Sequence, residues 1–307
     1  MGPACDDAAG LFVLRLPVDA TSLPRERKGV TRTAGTGIMR SMPATSARIL
    51  PSIAFFSDVD GTMMDERERL AVDAATAAAF APRLELILTS SRTLVELARI
   101  QRRIGLVAAL VAENGAVVGL PTRWRRSRPA PLMRFGGRDL QVLPLGEPAA
   151  ALRRRLRRCA SEVGVRVVEQ RETLPDRGRS LRRTHSLCVR NWHGRSAERF
   201  LGALRHDGLE ATRSGHWITI TSGAHKGDGV RAVLARAERN GAPYETSAGI
   251  GNAENDVEML AACDRRFAIR NPRTGHDPAL TRVPRVRTLA SPGLAGWREA
   301  LDWILSR

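Results

Sequence analysis

Residues 53–65 read I-A-F-F-S-D-V-D-G-T-M-M-D. The apolar run Ile53, Ala54, Phe55, Phe56 has the length of a buried strand, and it stops abruptly at Asp58-Val59-Asp60-Gly61-Thr62. Successive side chains of a strand alternate, so Asp58 and Asp60 point the same way off its C-terminal end. Gly61 permits a turn that most residues resist. Two neighbouring carboxylates repel unless one is protonated or a cation sits between them. A divalent metal with oxygen ligands, usually Mg2+, is the simplest resolution. An ordinary acidic turn at a strand end is the other reading of this stretch, and the rest of the chain decides between them.

Downstream, residues 66–80 are Ala-rich and predict a helix. Residues 84–88, L-E-L-I-L, form a second apolar strand that ends in T-S-S-R at Thr89, Ser90, Ser91 and Arg92. The spacing of Leu94, Leu97, Ala98 and Ile104 predicts a helix after it. A hydroxyl here, facing a helix N-terminus, can donate to a phosphate oxygen while the helix dipole favours the anion; an ordinary N-cap is the plainer alternative. Residues 106–112 are a third strand candidate, followed by E-N-G-A, whose Asn114-Gly115 predicts a hairpin turn into a returning strand at 117–120. Strand, helix, strand, helix, strand is a doubly wound α/β pattern with a Rossmann-like parallel sheet.

Residues 121–215 change character, with 22 arginines against 9 acidic residues, so most of the chain's formal charge of +17 lies here. The run R-R-R-L-R-R at 153–158 sits on a predicted helix, and residues 165–168 and 186–189 are strand-like. This segment reads as an inserted α+β cap domain. Its basic surface is either simply solvated or a lid over an anionic substrate. The α/β pattern resumes at 216–221, H-W-I-T-I-T, and continues with a helix opened by Lys226. A short strand at 248–251 runs into G-N-A-E-N-D and a helix ending near Ala262. Strands at 267–269 and 286–289 follow, then an amphipathic helix over 294–305 bearing Trp297 and Trp303. The expected core is therefore 50–120 with 216–307, and the cap 121–215. Residues 1–49, rich in Gly, Pro, Ser, Thr and Ala, read as a disordered N-terminal extension, or as sequence upstream of a start at Met39 or Met42.

Of 307 residues, 43% are hydrophobic and 26% charged, the balance of a soluble globular protein. No apolar run approaches the ~18 residues that cross a bilayer. The patch at 11–16 is too brief for a signal peptide, and Asp6 stands where a myristoylation signal has Ser or Thr. Four scattered cysteines with no C-x-x-C pair indicate a reducing, cytoplasmic setting and no structural zinc. Nearly every basic residue is arginine, a bias that fits codon composition; the only lysines are Lys28 and Lys226. Nucleic-acid binding through arginine is the functional alternative, but 4% aromatic residues with one tyrosine leave few stacking platforms. No P-loop motif and no strand-linked G-x-G-x-x-G is present. The sequence carries no signal of oligomeric state.

Four loops thus fall at strand C-termini, where open α/β sheets bind ligands. They carry two aspartates, a hydroxyl, a lysine and an Asn/Asp cluster, a set suited to phosphoryl transfer through an aspartyl phosphate. Lys226 stands out in an arginine-dominated chain, because a compact ammonium fits between a carboxylate and a phosphate where a planar guanidinium does not. A surface lysine at a helix start is the bland alternative.

D-V-D-G-T resembles the first motif, D-x-D-G-T, of the haloacid dehalogenase superfamily of phosphatases. Ser90 falls at the second motif, Lys226 at the third, and G-N-A-E-N-D at 251–256 resembles the fourth, usually G-D-x-x-N-D. The long insert and E-N-G-A resemble the Cof-type branch. T-S-S-R-T-L-V-E-L with V-A-E-N-G-A resembles its mannosyl-3-phosphoglycerate phosphatases, whose cap motif R-E-Y-S-E-P is matched here only in part by Arg183-Thr184-His185-Ser186. The resemblance implies a Mg2+-dependent phosphatase acting on a small anionic substrate, a sugar phosphate or one like mannosyl-3-phosphoglycerate. It implies Asp58 as nucleophile and Asp60 as general acid and base, with Ser90 and Lys226 on the phosphoryl group. Asp58, the Asp60 carbonyl, Asn252, Asn255 and Asp256 would form the metal site, and Arg183 and Ser186 would meet substrate from the cap. Asn252 replaces the usual Asp and removes one negative charge. Two other classes stand beside this one: a regulatory or binding protein that kept the fold with a weakened site, and a nucleic-acid-binding protein using the Arg-rich insert.

Overall fold

The run that ends in Asp58 is a strand, β1 (Ile53–Ser57), buried along its whole length. The computed structural model describes residues 51–306 apart from 125–131, 136–137, 171–172, 175–178, 181 and 215. The extension expected at 1–49 lies outside the described residues. After β1 come α1 (Ala74–Phe80), β2 (Leu84–Thr89), α2 (Leu94–Arg103), β3 (Leu110–Ala112), β4 (Val117–Pro121), β5 (Leu132–Phe135), β6 (Arg138–Pro144) and α3 (Ala149–Glu162). Then follow β7 (Thr173–Leu174), β8 (Arg179–Ser180), β9 (Leu187–Arg190), α4 (Arg195–His206), β10 (Glu210–Ser214) and β11 (Trp217–Thr221). The chain continues through α5 (Lys226–Arg239), β12 (Thr246–Gly251), α6 (Val257–Ala261), β13 (Arg265–Arg270), α7 (Pro278–Thr281), β14 (Val286–Pro292) and α8 (Gly293–Leu305).

Nine strands make one sheet in the order β14-β13-β12-β1-β2-β3-β4-β6-β5. From β14 to β3 the neighbours are parallel, and from β3 to β5 they are antiparallel. β1 is central, with Phe55 in register with Leu86 of β2 and Ala248 of β12. Alternate β1 residues feed two layers, as a strand covered on both faces requires. Phe55 clusters with Leu97 of α2 and Trp297 of α8; Phe56 clusters with Val230 of α5 and Met259 of α6. This is the expected doubly wound α/β core. Trp297 also donates its indole N–H to Ser57 Oγ at 2.9 Å, which ties α8 to the end of β1 next to Asp58.

A smaller antiparallel sheet, β10-β11-β9, lies between two passes through the main sheet. α3 and α4 pack on it through Leu152, Leu156, Phe200 and Leu204 against Ile218 and Ile220. The two crossings meet where Glu147 N donates to Ser222 Oγ at 2.8 Å. Several insert arginines are engaged locally: Arg153 with Glu169, Arg155 with Glu147 and Asp207, and Arg158 with Asp207. No helix among the described residues is long and apolar enough to cross a membrane.

Several elements differ from expectation. Residues 216–221 were expected in the core, yet β11 belongs to the small sheet, where Ile218 and Ile220 cover α3 and α4. β5 and β6, expected in the cap, extend the main sheet through β4. By strand membership the insert runs from about residue 145 to 222. The helix expected over 66–80 begins only at Ala74. Asp65 accepts from Arg67 N, Arg69 N and Arg69 Nε, which offers this stretch a turn in place of helix. The strand expected over 106–112 is confined to Leu110–Ala112. Residues 165–168 form no strand; the stretch only lies along β9, with Arg190 N donating to Val168 O at 2.8 Å. Asn114-Gly115 does join antiparallel β3 and β4, but through a 3-10 turn over Glu113–Gly115 rather than a two-residue hairpin.

Candidate active site

Three loops at strand C-termini converge on one ion cluster. Lys226, the first residue of α5, donates from Nζ to Asp58 Oδ1 at 2.6 Å and to Asp256 Oδ1 at 2.6 Å. Asp256 is 0% exposed, Lys226 1% and Asp58 5%. Backbone packing sets the approach. Gly115 has φ +91, and a Cβ there would overlap the His225 carbonyl just before Lys226. Gly251 at the end of β12 leaves room for the Asp256 side chain, which any Cβ would strike. Asp256 Oδ2 accepts from Asn252 N at 2.9 Å and Ala253 N at 3.2 Å, which folds the loop back on itself.

Burial pushes the Asp58 carboxyl up to about 7, with Asp256 adding to the rise and Lys226 opposing it. Burial also works against the Lys226 charge, but Asp256 and Asp58 outweigh it and hold the ammonium above its usual range. One lysine thus serves two buried carboxylates, and the cluster is short of positive charge.

Asp60 leaves the same loop toward solvent. Arg92 grips it with Nη2 to Oδ1 at 2.7 Å and Nε to Oδ2 at 2.9 Å. Asn252 Oδ1 accepts from Thr62 Oγ1 at 3.2 Å, and Asn255 Nδ2 donates to Asn114 Oδ1 at 3.4 Å. Asp58, Asp60, Asn252 and Asn255 all line one cavity. Among the described residues no group of three or more His, Cys, Asp or Glu is arranged to hold a metal. The candidate ligands Asp58, Asp60, Asn252 and Asn255 nevertheless offer carboxylate, carbonyl and amide oxygens, with Asp58 Oδ2 left over from the lysine contact, a set that fits a hard cation such as Mg2+. Both Asp256 oxygens are engaged by protein groups, so this residue holds the loop and the lysine. Ser90 is buried, with Oγ accepting from Arg92 N at 3.2 Å; its neighbour Ser91 lines the cavity.

The cavity, of about 490 Å³, is closed on the far side by the insert through Arg183, Cys188, Trp217 and Thr219. Arg183 Nη1 reaches Ser91 O at 2.8 Å and Ser186 Oγ at 3.2 Å. Ser186 is not on the lining; it donates to Glu113 Oε2 at 2.8 Å. Glu113, 1% exposed, also accepts from Thr184 N, Thr184 Oγ1 and His185 N at 2.9 Å each. This carboxylate therefore fastens the insert to the β3–β4 turn. Sequence reasoning missed the parts of Arg92 and Glu113, although T-S-S-R and E-N-G-A contained both.

Residues 197–279 match the model of the haloacid dehalogenase-like hydrolase family, a span that holds Lys226, Asn252, Asn255 and Asp256. Solved structures share the fold. A haloacid dehalogenase-like hydrolase from B. subtilis is 14% identical, with 83% of this chain and 99% of that chain covered and a TM-score of 0.56. The sucrose-phosphatase of Synechocystis sp. PCC6803, in complex with sucrose and phosphate, is 14% identical, with 83% and 98% covered and a TM-score of 0.54. The subclass IIB sugar phosphatase BT4131 is 15% identical, with 82% and 98% covered and a TM-score of 0.54. The fold is that of the haloacid dehalogenase-like hydrolases. With the family match, it supports a hydrolase.

Proposed function

We propose that this chain is a cytoplasmic Mg2+-dependent phosphatase that hydrolyses a phosphate monoester through a phosphoryl group carried on Asp58. The observation that carries the reading is Lys226 held between Asp58 and Asp256, buried behind a cavity that Asp58 lines and a second sheet walls. Asp58 would attack phosphorus with the oxygen that Lys226 leaves free. Lys226 and the Ser90 hydroxyl would steady the charge on the transferring group. Asp60 would give a proton to the leaving alkoxide, then take one from the water that releases phosphate. Asp58, the Asp60 carbonyl, Asn252 and Asn255 would hold Mg2+, with Asp256 behind them; when bound, the ion would neutralise charge on the phosphoryl oxygens. Arg183 would meet the leaving group, and Ser186 would set its position. The sucrose-phosphatase and sugar-phosphatase neighbours favour a sugar phosphate, and the T-S-S-R and E-N-G-A stretches a substrate like mannosyl-3-phosphoglycerate.

Asn252, an amide where the family pattern has a carboxylate, favours a second reading: a regulatory or binding protein with a weakened metal site. Phosphate release from a panel of phosphate monoesters, with and without Mg2+, separates the two. Turnover that needs Mg2+ and disappears in folded Asp58→Asn supports the phosphatase. Substantial turnover by folded Asp58→Asn sinks the nucleophile assignment.

A further inference from the structure

The run R-R-R-L-R-R at 153–158 takes no part in the candidate active site. It lies on α3, and the second sheet stands between it and the cavity. Side chains alternate across that sheet. Cys188 and Thr219 line the cavity, whereas Leu187, Val189, Ile218 and Ile220 cluster with α3 and α4. Thr219 pairs with Cys188, and Ile218 with Val189, so one face of the sheet is the cavity wall and the other seats the two helices. α3 and α4 lie side by side there, with Arg155 Nε donating to Asp207 Oδ2 at 2.8 Å and Cys159 Sγ to Ala203 O at 3.8 Å. Their outer faces therefore point away from the reacting groups.

The arginines of these helices divide into two sets. Arg153, Arg155 and Arg158 hold the insert together through Glu169, Glu147 and Asp207. Arg154 and Arg157 on α3, and Arg195, Arg199 and Arg205 on α4, are exposed, and none of them pairs with an acid among the described residues. The two acids on these helices are already taken: Glu162 faces Arg158 at 4.0 Å, and Glu198 faces Arg213 at 3.0 Å. Arg154 and Arg157 are three residues apart and Arg195 and Arg199 four, the spacings that share a helix face and at which like charges repel. A partner carrying a row of phosphates relieves that repulsion.

The exposed positions of α3 and α4 carry no Trp, Phe, Tyr, Leu or Ile. An interfacial helix sinks bulky apolar side chains into a lipid surface, and a single-stranded nucleic acid stacks its bases on aromatic rings. This face offers neither. A duplex keeps its bases stacked on one another and turns its phosphates outward, where guanidinium groups bind them without reading sequence. We propose that the outer face of α3 and α4 binds the phosphate backbone of double-stranded nucleic acid, independently of sequence, while the cavity stays open on the other face of the second sheet. This binding does not depend on the phosphatase reading.

Fluorescence anisotropy of the full chain with a labelled DNA duplex of ~20 base pairs tests it, because each phosphate contact contributes about −0.9 to the slope of log affinity against log salt. Contacts from these arginines predict a slope of about −4, and a loss of affinity on the order of 10²-fold between roughly 50 and 200 mM salt. This slope is read on the unaltered protein. The combined variant Arg154→Gln, Arg157→Gln, Arg195→Gln, Arg199→Gln should weaken binding by roughly tenfold or more and bring the slope close to zero. The combined variant Arg83→Gln, Arg273→Gln, Arg282→Gln, Arg285→Gln removes the same charge at exposed positions of the core. It should weaken binding by less than about threefold, since it alters only the longer-range field that salt screens. Equal weakening by the two variants overturns the proposal, as does a slope near zero in the unaltered protein or tighter binding of the single strand than of the duplex. Binding to phosphatidylserine vesicles without binding to the duplex also overturns it and makes the face a lipid-docking surface.

Discussion

Arg92 closes a two-pronged hydrogen bond on Asp60, Nη2 to Oδ1 at 2.7 Å and Nε to Oδ2 at 2.9 Å. Asp60 is otherwise open to water, with its side chain 52% exposed. The fork therefore fixes where this carboxylate points, and only a planar guanidinium makes both bonds at once. Arg92→Lys keeps the charge and loses the fork. In the proposed reaction it should lower kcat by about 10²-fold, the scale of general acid catalysis, for an ester with a poor alkoxide leaving group. For p-nitrophenyl phosphate, whose leaving group needs little protonation, the loss should be much smaller. Equal losses on the two substrates would show that Arg92 does not act through Asp60.

Lys226 is the sole cation within hydrogen-bonding distance of two buried carboxylates among the described residues. Lys226→Met keeps the volume and strands Asp58 and Asp256 together. Breaking a buried pair in this way costs about 3–5 kcal/mol, so urea unfolding in EDTA should show a clear fall in midpoint. Turnover should vanish as well. An unchanged midpoint would mean that the two carboxylates are not both charged in the folded protein.

Glu113 holds the insert by accepting from Thr184, His185 and Ser186 at once. Glu113→Ala leaves the buried Ser186 hydroxyl and the half-buried Thr184 and His185 donors without this acceptor, at a cost of about 2 kcal/mol. Amide hydrogen exchange at residues 184–190 should quicken, while amides of β1 and β12 keep their protection. Uniform quickening across both sheets would make Glu113 a general stability residue rather than a fastening between them.

The core strands were legible because parallel strands covered on both faces read as nearly continuous apolar runs, I-A-F-F and L-E-L-I-L, the second interrupted only by Glu85. The same rule explains the misplacement of β11. W-I-T-I-T alternates strictly, the mark of a strand with one apolar face: Ile218 and Ile220 pack with α3 and α4, while the other face carries Thr219, buried on the cavity side. The residues that meet at Lys226 lie 168 and 30 positions from it, yet each ends a strand or opens a helix, so its loop was readable locally. Composition could not reveal that Asp65 would turn residues 65–69 away from helix through its own side chain. Nor could it reveal the partners of Arg92 and Glu113, since those contacts join loops brought together only by the finished fold.

Asn252 lines the cavity beside Asp58, and its Oδ1 already accepts from Thr62 Oγ1 at 3.2 Å. Aspartate has the same shape and can accept the same bond, so Asn252→Asp should fold normally. It adds one negative charge to the oxygens that face the cavity. An anionic oxygen binds Mg2+ better than a neutral amide oxygen, and Mg2+ sites usually rest on one or two carboxylates. With both Asp256 oxygens engaged by Lys226, Asn252 N and Ala253 N, Asp58 is the one acid at the proposed site with an oxygen to spare. The half-saturating Mg2+ concentration for turnover should therefore fall by about tenfold in Asn252→Asp, equivalent to about 1.4 kcal/mol of binding. At saturating Mg2+ the two proteins should turn over at similar rates, because the change acts through affinity for the ion and not through proton transfer. A Mg2+ titration of both proteins at fixed substrate measures this. Coincident half-saturation values would remove Asn252 from the metal site and require a different ligand there.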